Sequence, residues 1–237
     1  MTARARSLLL LSIVVAAVCV RLGIWQLDRL AQRRARNRAV AARLAEPPTT
    51  IGALPADTAE RRYRRVALAG RALYDRELRL VNRSRDGSPG VNIVTPVQLA
   101  GRDTLVLVNR GWIYSGNGTD VDLARWHEGD SLVVTGYVEL PSRRPGPAAL
   151  RSPRAYRWVD ADTIARAIGA PVTPYYVVAE APPGETKPPL DRPVRIPAPA
   201  LDEGSHQSYA IQWFSFATVA VVGGLAFVRA DRRRRGA

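Results

Sequence analysis

Few side chains in this sequence could do acid–base, nucleophilic or metal chemistry. Its 237 residues contain two histidines, His127 and His206, and a single cysteine, Cys19, which lies within an apolar run. Neither a Cys–His catalytic pair nor a multi-histidine zinc site can be assembled from them. Asp120, Asp122 and His127 fall among glycine and charged residues, and we interpret them as solvated loop residues. The sequence predicts no catalytic constellation, so we expect a protein that is not an enzyme.

His206 has the more informative surroundings, because it lies one helical turn before a long uncharged stretch. The twenty residues 209–228 carry no formal charge. At a rise of ~1.5 Å per residue, a helix of this length crosses the ~30 Å hydrocarbon core of a bilayer. Residues 7–27 form a second apolar stretch, in which Arg21 is the only charge. We expect both to be membrane-spanning helices; a cleaved signal peptide is the alternative for the first, but apolar residues resume after Arg21.

If the two spans are antiparallel neighbours, the end of the first lies at the same depth as the start of the second. The side chains that would then surround His206 are Trp25, Gln26, Tyr209, Gln212 and Trp213. An imidazole with aromatic walls and amide groups suits the metal of a flat apolar cofactor; haem is the obvious candidate, with His206 as the iron ligand. The alternative is an aromatic belt at the membrane surface, with His206 an ordinary residue of the first helical turn. The residues alone leave both interpretations open.

Small residues line one face of each predicted span. The face of the second span consists of His206, Ala210, Trp213, Ala217, Ala220 and Gly224, and that of the first of Ser12, Ala16, Cys19 and Gly23. Faces of this kind allow membrane helices to approach closely. The other interpretation is that alanine is simply abundant in both stretches.

The net charge of +14 is concentrated at the two ends of the chain. Residues 1–43 contain nine arginines and one aspartate, and residues 209–237 contain five arginines and one aspartate. The part between them is nearly neutral. Basic residues that flank apolar spans set membrane topology and contact anionic headgroups. Nucleic-acid binding is disfavoured, because it would need a basic surface on the folded domain.

The middle of the chain predicts a mainly β domain with an antiparallel, barrel-like sheet and one short helix. The predicted strands are residues 63–69, 77–82, 91–99, 104–108, 131–140 and 175–179. The helix is residues 161–168, with Asp160 as its N-cap and Gly169 at its end. Residues 28–45 continue the first span as a helical extension up to Pro47, and residues 182–199 form a proline-rich excursion without regular structure.

These elements predict a two-span membrane protein. Its parts are a cytoplasmic N-terminus (residues 1–6), a first span (7–27), an extracytoplasmic domain (28–208), a second span (209–228) and a basic cytoplasmic tail (229–237). The arginine-rich tail decides the orientation, although arginines also crowd the far end of the first span.

Four short blocks of the sequence resemble the signature blocks of the Surfeit locus protein family of cytochrome c oxidase assembly factors. They are residues 22–29 (LGIWQLDR), 90–96 (GVNIVTP), 109–113 (NRGWI) and 206–214 (HQSYAIQWF). Their order and spacing match the family from the first span to the second. The chain departs from the pattern at residues 203–205, which are Glu-Gly-Ser where the family often has Pro-Asn-Asn, and at Tyr114, where a proline is common.

The resemblance implies two transmembrane helices around an extracytoplasmic domain, and a role in maturing subunit I of the oxidase by haem a delivery or insertion. It implies subunit I and haem a synthase as partners and the bacterial plasma membrane as the location. The family's proposed haem ligand falls on His206, and its Gly-x-Trp block falls on Gly23 and Trp25. Because the first span begins at Ser7, we expect the bacterial form, without a mitochondrial presequence.

Three functions remain open at this point. The first is an assembly factor that holds haem a at the outer, extracytoplasmic interface of the plasma membrane. Arginines such as Arg110 or Arg21 could pair there with the propionates. The second is a scaffold that binds an oxidase subunit without haem. The third is a membrane-anchored enzyme with an unrecognised extracytoplasmic site.

Overall fold

The computed structural model describes residues 2–142, 144–185 and 187–236. The chain divides into two compact units. One is helical and comprises Met1–Ala41 together with Ala200–Ala237; the other is the β domain, Ala42–Pro199.

Two long helices make up most of the helical unit. Helix α1 spans Ala3–Ala45 and helix α4 spans His206–Gly236. Both are long and apolar enough to cross a membrane, judged by length and composition. Helix α1 continues beyond its apolar part and ends two residues before Pro47, as predicted, because proline cannot donate a backbone hydrogen bond and restricts the residue before it.

The predicted small-residue faces make the contact between α1 and α4. Ala16, Cys19 and Ala217 are buried together. A Cβ atom added to Gly23 would lie 2.7 Å from the ring of Phe214, and one added to Gly224 would lie 2.8 Å from the Ser12 side chain. Neither position has room for a side chain, so glycine sets how closely the two helices approach.

Among its described residues, the β domain contains eight strands, two short α-helices and three single-turn 3-10 helices. The strands are β1 (Thr49–Thr50), β2 (Arg65–Ala72), β3 (Leu78–Arg85), β4 (Ser88–Leu99), β5 (Leu105–Tyr114), β6 (Ser131–Glu139), β7 (Ala155–Tyr156) and β8 (Val172–Ala179); the α-helices are α2 (Thr58–Arg61) and α3 (Ala161–Ile168). Strands β1 and β7 and helix α2 are short elements that the sequence did not predict.

Five of the strands close into a barrel in the order β2–β4–β5–β8–β6 and back to β2. This is the strand order of the OB-type Greek-key barrel. Strand β2 pairs with both β4 and β6 and so closes the ring. A Cβ on Gly70 would lie 2.5 Å from the carbonyl oxygen of Gln98, which explains the glycine where β2 turns from one partner to the other.

The prediction of an antiparallel sheet is wrong for three strand pairs. Strand β8 runs parallel to β5 inside the barrel, and outside it β1 runs parallel to β2 and β7 parallel to β3. A tight turn forces its two strands to be antiparallel, but β8 follows β6 after a connection that contains β7 and α3. That long connection allows β8 to enter between β6 and β5, antiparallel to one and parallel to the other.

Backbone chemistry determines two local features of the domain, the predicted helix α3 and the tight turn between β3 and β4. Helix α3 has the predicted bounds; the Asp160 carboxylate accepts from the Thr163 backbone N–H at 2.8 Å, and Gly169 adopts φ +66°. Asp86 and Gly87 both have positive φ, which forms the two-residue turn between β3 and β4. The turn fixes the register of the hairpin, and the Asp160 cap and Gly169 fix the position of α3. Ile164 of this helix is fully buried against the sheet.

Candidate functional site

His206 is the first residue of α4, and its side chain hydrogen-bonds to the opposite helix. Its Nδ1 lies 2.8 Å from Oε1 of Gln26 on α1. An amide oxygen can only accept, so in this arrangement Nδ1 carries the proton and donates it. Gln26 is a buried polar side chain, 9% exposed. The structure therefore brings together two of the six residues in which the sequence predicted a cofactor site.

The other four predicted residues have different environments. Trp213 is half-buried, packs against the cluster of Ala16, Cys19 and Ala217, and meets Phe216 edge to face. Trp25 is 42% exposed, with the Arg29 guanidinium 5.5 Å from its ring centre. Tyr209 is 48% exposed and Gln212 is exposed as well. Within the described residues, no aromatic ring stacks on the imidazole of His206, so the predicted aromatic walls do not enclose it.

Ion pairs fix the segment that leads into His206. Arg34 donates two hydrogen bonds of 2.7 Å to the carboxylate of Glu203, and this lowers the pKa of Glu203. Arg33 pairs with Asp202 at 3.3 Å, and Asn37 donates to the backbone oxygen of Asp202 at 2.8 Å. These ion pairs were not predicted from the sequence. Two features could have indicated them: the acidic pair just before the histidine, and polar residues spaced three to four positions apart on the extension of α1.

Gly204 determines the backbone conformation just before His206, in the segment where the sequence departs from the pattern of the family that it resembles. It adopts φ +67°, in the left-handed region. Asparagine is one of the few other residues that adopt this conformation readily, so either glycine or asparagine would meet the backbone requirement at this position. A Cβ at this position would lie 3.8 Å from Nε2 of His206, an ordinary contact distance. The left-handed backbone conformation, rather than a lack of space for a side chain, therefore explains why this residue is glycine.

The Nε2 atom of His206 can serve as a ligand. No hydrogen bond to it is found in residues 2–142, 144–185 and 187–236. A neutral imidazole protonated at Nδ1 presents its lone pair on Nε2, the form in which histidine binds metals. Within the same residues, no group of three His, Cys, Asp or Glu side chains could hold a bare metal ion. A single imidazole suits the axial position of a metal already held by a macrocycle, so the residues present fit haem.

The prediction from the sequence that Arg110 could pair with a haem propionate was wrong. Its side chain is completely buried in the β domain. It lies 2.6 Å from Glu77 and 2.8 Å from Glu128, and it donates to Thr95 Oγ1 at 2.8 Å. A guanidinium whose charge is already balanced by two carboxylates away from solvent is not available to a propionate.

Comparison with known proteins decides the family. Residues 13–218 match the model of the SURF1 family, a range that includes all four sequence blocks. The chain belongs to the SURF1 family. This family is generally linked to cytochrome c oxidase assembly.

Similar SURF1-like proteins occur in both eukaryotes and bacteria. One from Monosiga brevicollis is 27% identical over 94% of this chain and 88% of its own length. One from Rickettsia felis is 25% identical over 90% of this chain and 93% of its own length. Surfeit locus protein 1 of Gallus gallus is 22% identical over 86% of this chain and 69% of its own length.

In this SURF1-family chain, the Asn-Arg-Gly-Trp block of β5 holds the proline-rich segment. Trp112 and Val194 exchange two backbone hydrogen bonds, of 2.8 and 2.9 Å. Gly111 has φ +131°, and a Cβ on it would lie 2.3 Å from the carbonyl oxygen of Val194. Arg195 follows and pairs with Glu128, which also pairs with Arg110. The block therefore has a structural role in the domain, which the sequence did not reveal because residues 109–111 resemble a turn.

Proposed function

We propose that this chain holds haem a transiently at the outer surface of a bacterial plasma membrane and passes it to subunit I of cytochrome c oxidase during assembly. Helices α1 and α4 would span the membrane, with the β domain on the extracytoplasmic side. The observation that carries the proposal is the hydrogen bond from His206 Nδ1 to Gln26, because it leaves Nε2 as the atom that faces a ligand.

Haem a is the cargo in this proposal, and its iron would accept the His206 Nε2 lone pair. Trp25 and Tyr209 would offer apolar surface to the macrocycle, and Gln212 and Trp213 lie about one turn further along α4 than Tyr209. No catalytic role is proposed for the salt-bridged cluster in the β domain.

The exposure of these side chains supports a transient rather than a permanent site. Sites that retain a ligand tightly usually bury about 70–90% of its surface. Trp25 and Tyr209 are 42% and 48% exposed, so a ligand beside them would remain accessible from outside the helix pair. Accessibility of this kind suits a chain that must give up its cargo to a partner, for which subunit I is our first candidate and haem a synthase a candidate donor.

The proposal is tested by purifying the protein from cells that make haem a. We expect the wild type to carry haem a, His206→Ala to carry none, and His127→Ala to match the wild type, because His127 is an exposed residue of the β domain that stacks on Tyr74. A wild-type haem content in His206→Ala would refute the ligand assignment. Oxidase activity of membranes from a deletion strain that expresses each variant should follow the same order.

The same exposure of Trp25 and Tyr209 also favours a second candidate, a scaffold that binds an oxidase subunit without haem. Exposed aromatic side chains on an apolar helix suit contact with a partner's transmembrane helix. Purification from cells unable to make haem a separates the two. Undiminished recovery of subunit I from such cells, together with no haem in protein from normal cells, would support the scaffold and contradict haem transfer.

A further inference from the structure

Gln26 is a buried polar side chain in the apolar part of α1, and its hydrogen-bond partner among the described residues lies 180 positions away in the sequence. Its Oε1 is 2.8 Å from Nδ1 of His206, and its side chain is 9% exposed. Burying an amide in an apolar environment is unfavourable unless it is hydrogen-bonded. Its position opposite the histidine therefore needs an explanation other than helix packing, which small apolar residues achieve at Ala16 and Cys19.

The two orientations of the Gln26 amide have opposite consequences for His206. With Oε1 facing the ring, Nδ1 must donate, and the lone pair of the neutral imidazole is on Nε2. With the amide nitrogen facing the ring, Nδ1 would accept, and Nε2 would carry the proton. Only the first form can bind a metal through Nε2. The structure has Oε1 facing the ring.

Contacts on both sides fix the position of Gln26 relative to α4. One turn toward the N-terminus, Gly23 allows the ring of Phe214 to pack directly on α1. One turn toward the C-terminus, Leu30 is buried on the same face. Further along this face, Arg33 and Asn37 bind Asp202, four residues before His206. Contacts on both sides of the Gln26–His206 pair therefore hold the two helices together. Because the helices are already positioned, the hydrogen bond forms with little further loss of side-chain conformational freedom.

We infer that Gln26 is a positioning residue, whose amide oxygen selects the Nδ1–H tautomer of His206 and aims Nε2 at the incoming metal. The inference rests on the proposed function, in which His206 is the haem ligand. A partner of the non-ligating ring nitrogen fixes the ring's orientation and its basicity. A neutral amide fixes the tautomer with less electron donation to the metal than a carboxylate would give, which suits a ligand that must later release its cargo.

The tautomer can be measured without haem. The chain has only two histidines, so ¹⁵N-histidine labelling of the protein in lipid nanodiscs gives two sets of ring signals, and His127→Asn assigns them. We expect wild-type His206 to be protonated at Nδ1, and Gln26→Leu, which keeps the volume but removes the acceptor, to show a mixture of tautomers. Protonation of His206 at Nε2 in the wild type, or an unchanged Nδ1–H tautomer in Gln26→Leu, would overturn the inference.

Haem a titration of the same variants gives the second readout. We expect Gln26→Leu to bind about 10–100-fold more weakly, as is typical when the partner of a metal-bound histidine is lost. Gln26→Glu should keep binding but lower the midpoint potential, because a carboxylate increases electron donation through the ring. The matched control is Gln32→Leu: Gln32 is on the same helix but is exposed, and its side chain accepts a hydrogen bond from Arg29. It should behave as the wild type.

The outcomes separate this inference from the proposed function. If His206→Ala retains haem, the ligand assignment fails whatever Gln26 does. If His206→Ala loses haem while Gln26→Leu keeps wild-type affinity and Gln26→Glu the wild-type potential, the role of Gln26 is refuted and that of His206 stands. Far-UV circular dichroism and gel filtration of each variant identify any that fail to fold. If Gln26→Leu does not fold, the midpoint potential of Gln26→Glu decides whether Gln26 has the inferred role.

Discussion

Arg110 and Glu77 form an ion pair in the β domain with both side chains completely buried and 2.6 Å between Nη2 and Oε1. Thr95 and Glu128 complete the surroundings of the guanidinium. A buried charge that loses its partner is far less stable than one at the surface, because water cannot replace the lost interaction. The stability of the domain should therefore depend strongly on this pair.

Replacement of Glu77 by Gln should lower the free energy of unfolding by about 3–5 kcal/mol, because it leaves the Arg110 charge without its fully buried partner. Denaturant unfolding followed by the near-UV signal of the domain measures the change. The control is Arg62→Met, which removes the partly exposed Arg62–Glu139 pair and should cost less than about 1 kcal/mol. Equal effects of the two substitutions would contradict the role given to the buried pair.

Gly111→Ala should release the proline-rich segment from β5. The new Cβ would lie 2.3 Å from the carbonyl of Val194, and φ +131° is unfavourable for alanine, at a cost of about 1–3 kcal/mol. Limited proteolysis within residues 182–199 should become faster, and the Val194 amide should lose protection from hydrogen exchange. Gly87→Ala is the matched control: its φ is +78°, but nothing lies within 4 Å of the new Cβ. It should leave the proteolysis rate of this segment unchanged.

Gly23→Leu should separate α1 from α4, because the first added carbon already lies 2.7 Å from the ring of Phe214. Spin labels at the exposed positions 15 and 221, in a Cys19→Ala background, should report a longer or broader distance distribution. Gly223→Leu adds the same side chain where nothing lies within 4 Å of the Cβ, and it should leave the distribution unchanged. An unaltered distance in Gly23→Leu would show that glycine does not set the approach of the helices.

Tyr137 and Tyr176 should resist ionisation in alkaline solution. Burial raises the pKa of both phenols above the ordinary value of 10.0. Because the folded-state pKa is raised, the stabilisation is complete below pH 10.0 and is lost as the pH rises above it, where the unfolded chain releases the protons. Tyrosinate absorbance should show Tyr137 and Tyr176 among the last tyrosines to ionise, after Tyr74, Tyr156 and Tyr175, whose pKa values burial also raises, and Tyr137→Phe and Tyr176→Phe should each remove one late step. A single transition near pH 10.0 in the folded protein would contradict this.

The sequence predicted most reliably the features that depend on local chemistry. Asp160 and Gly169 bound α3 because a side-chain cap and a left-handed residue are local requirements. The approach of Gln26 to His206 was predicted on the condition that the two spans are antiparallel neighbours, because the end of the first then lies beside the start of the second.

Features that depend on distant parts of the chain could not be predicted in this way. The direction of β8 relative to β5 is set by a long connection rather than a turn. The partners of Arg110 lie 33 and 18 positions away, so residue type alone indicated an anion site instead of a buried ion pair. The exposure of Trp25 depends on the rotation of α1 about its axis, which membrane depth does not determine.

The most direct test of haem ligation by His206 is chemical rescue. Purified His206→Gly should bind haem a with much lower affinity than the wild type and with an altered optical spectrum, and added imidazole should restore the wild-type spectrum by occupying the vacated ligand position. His127→Gly should bind as the wild type does, with no response to imidazole. A wild-type haem a spectrum in His206→Gly without imidazole would contradict the proposal that His206 holds the haem.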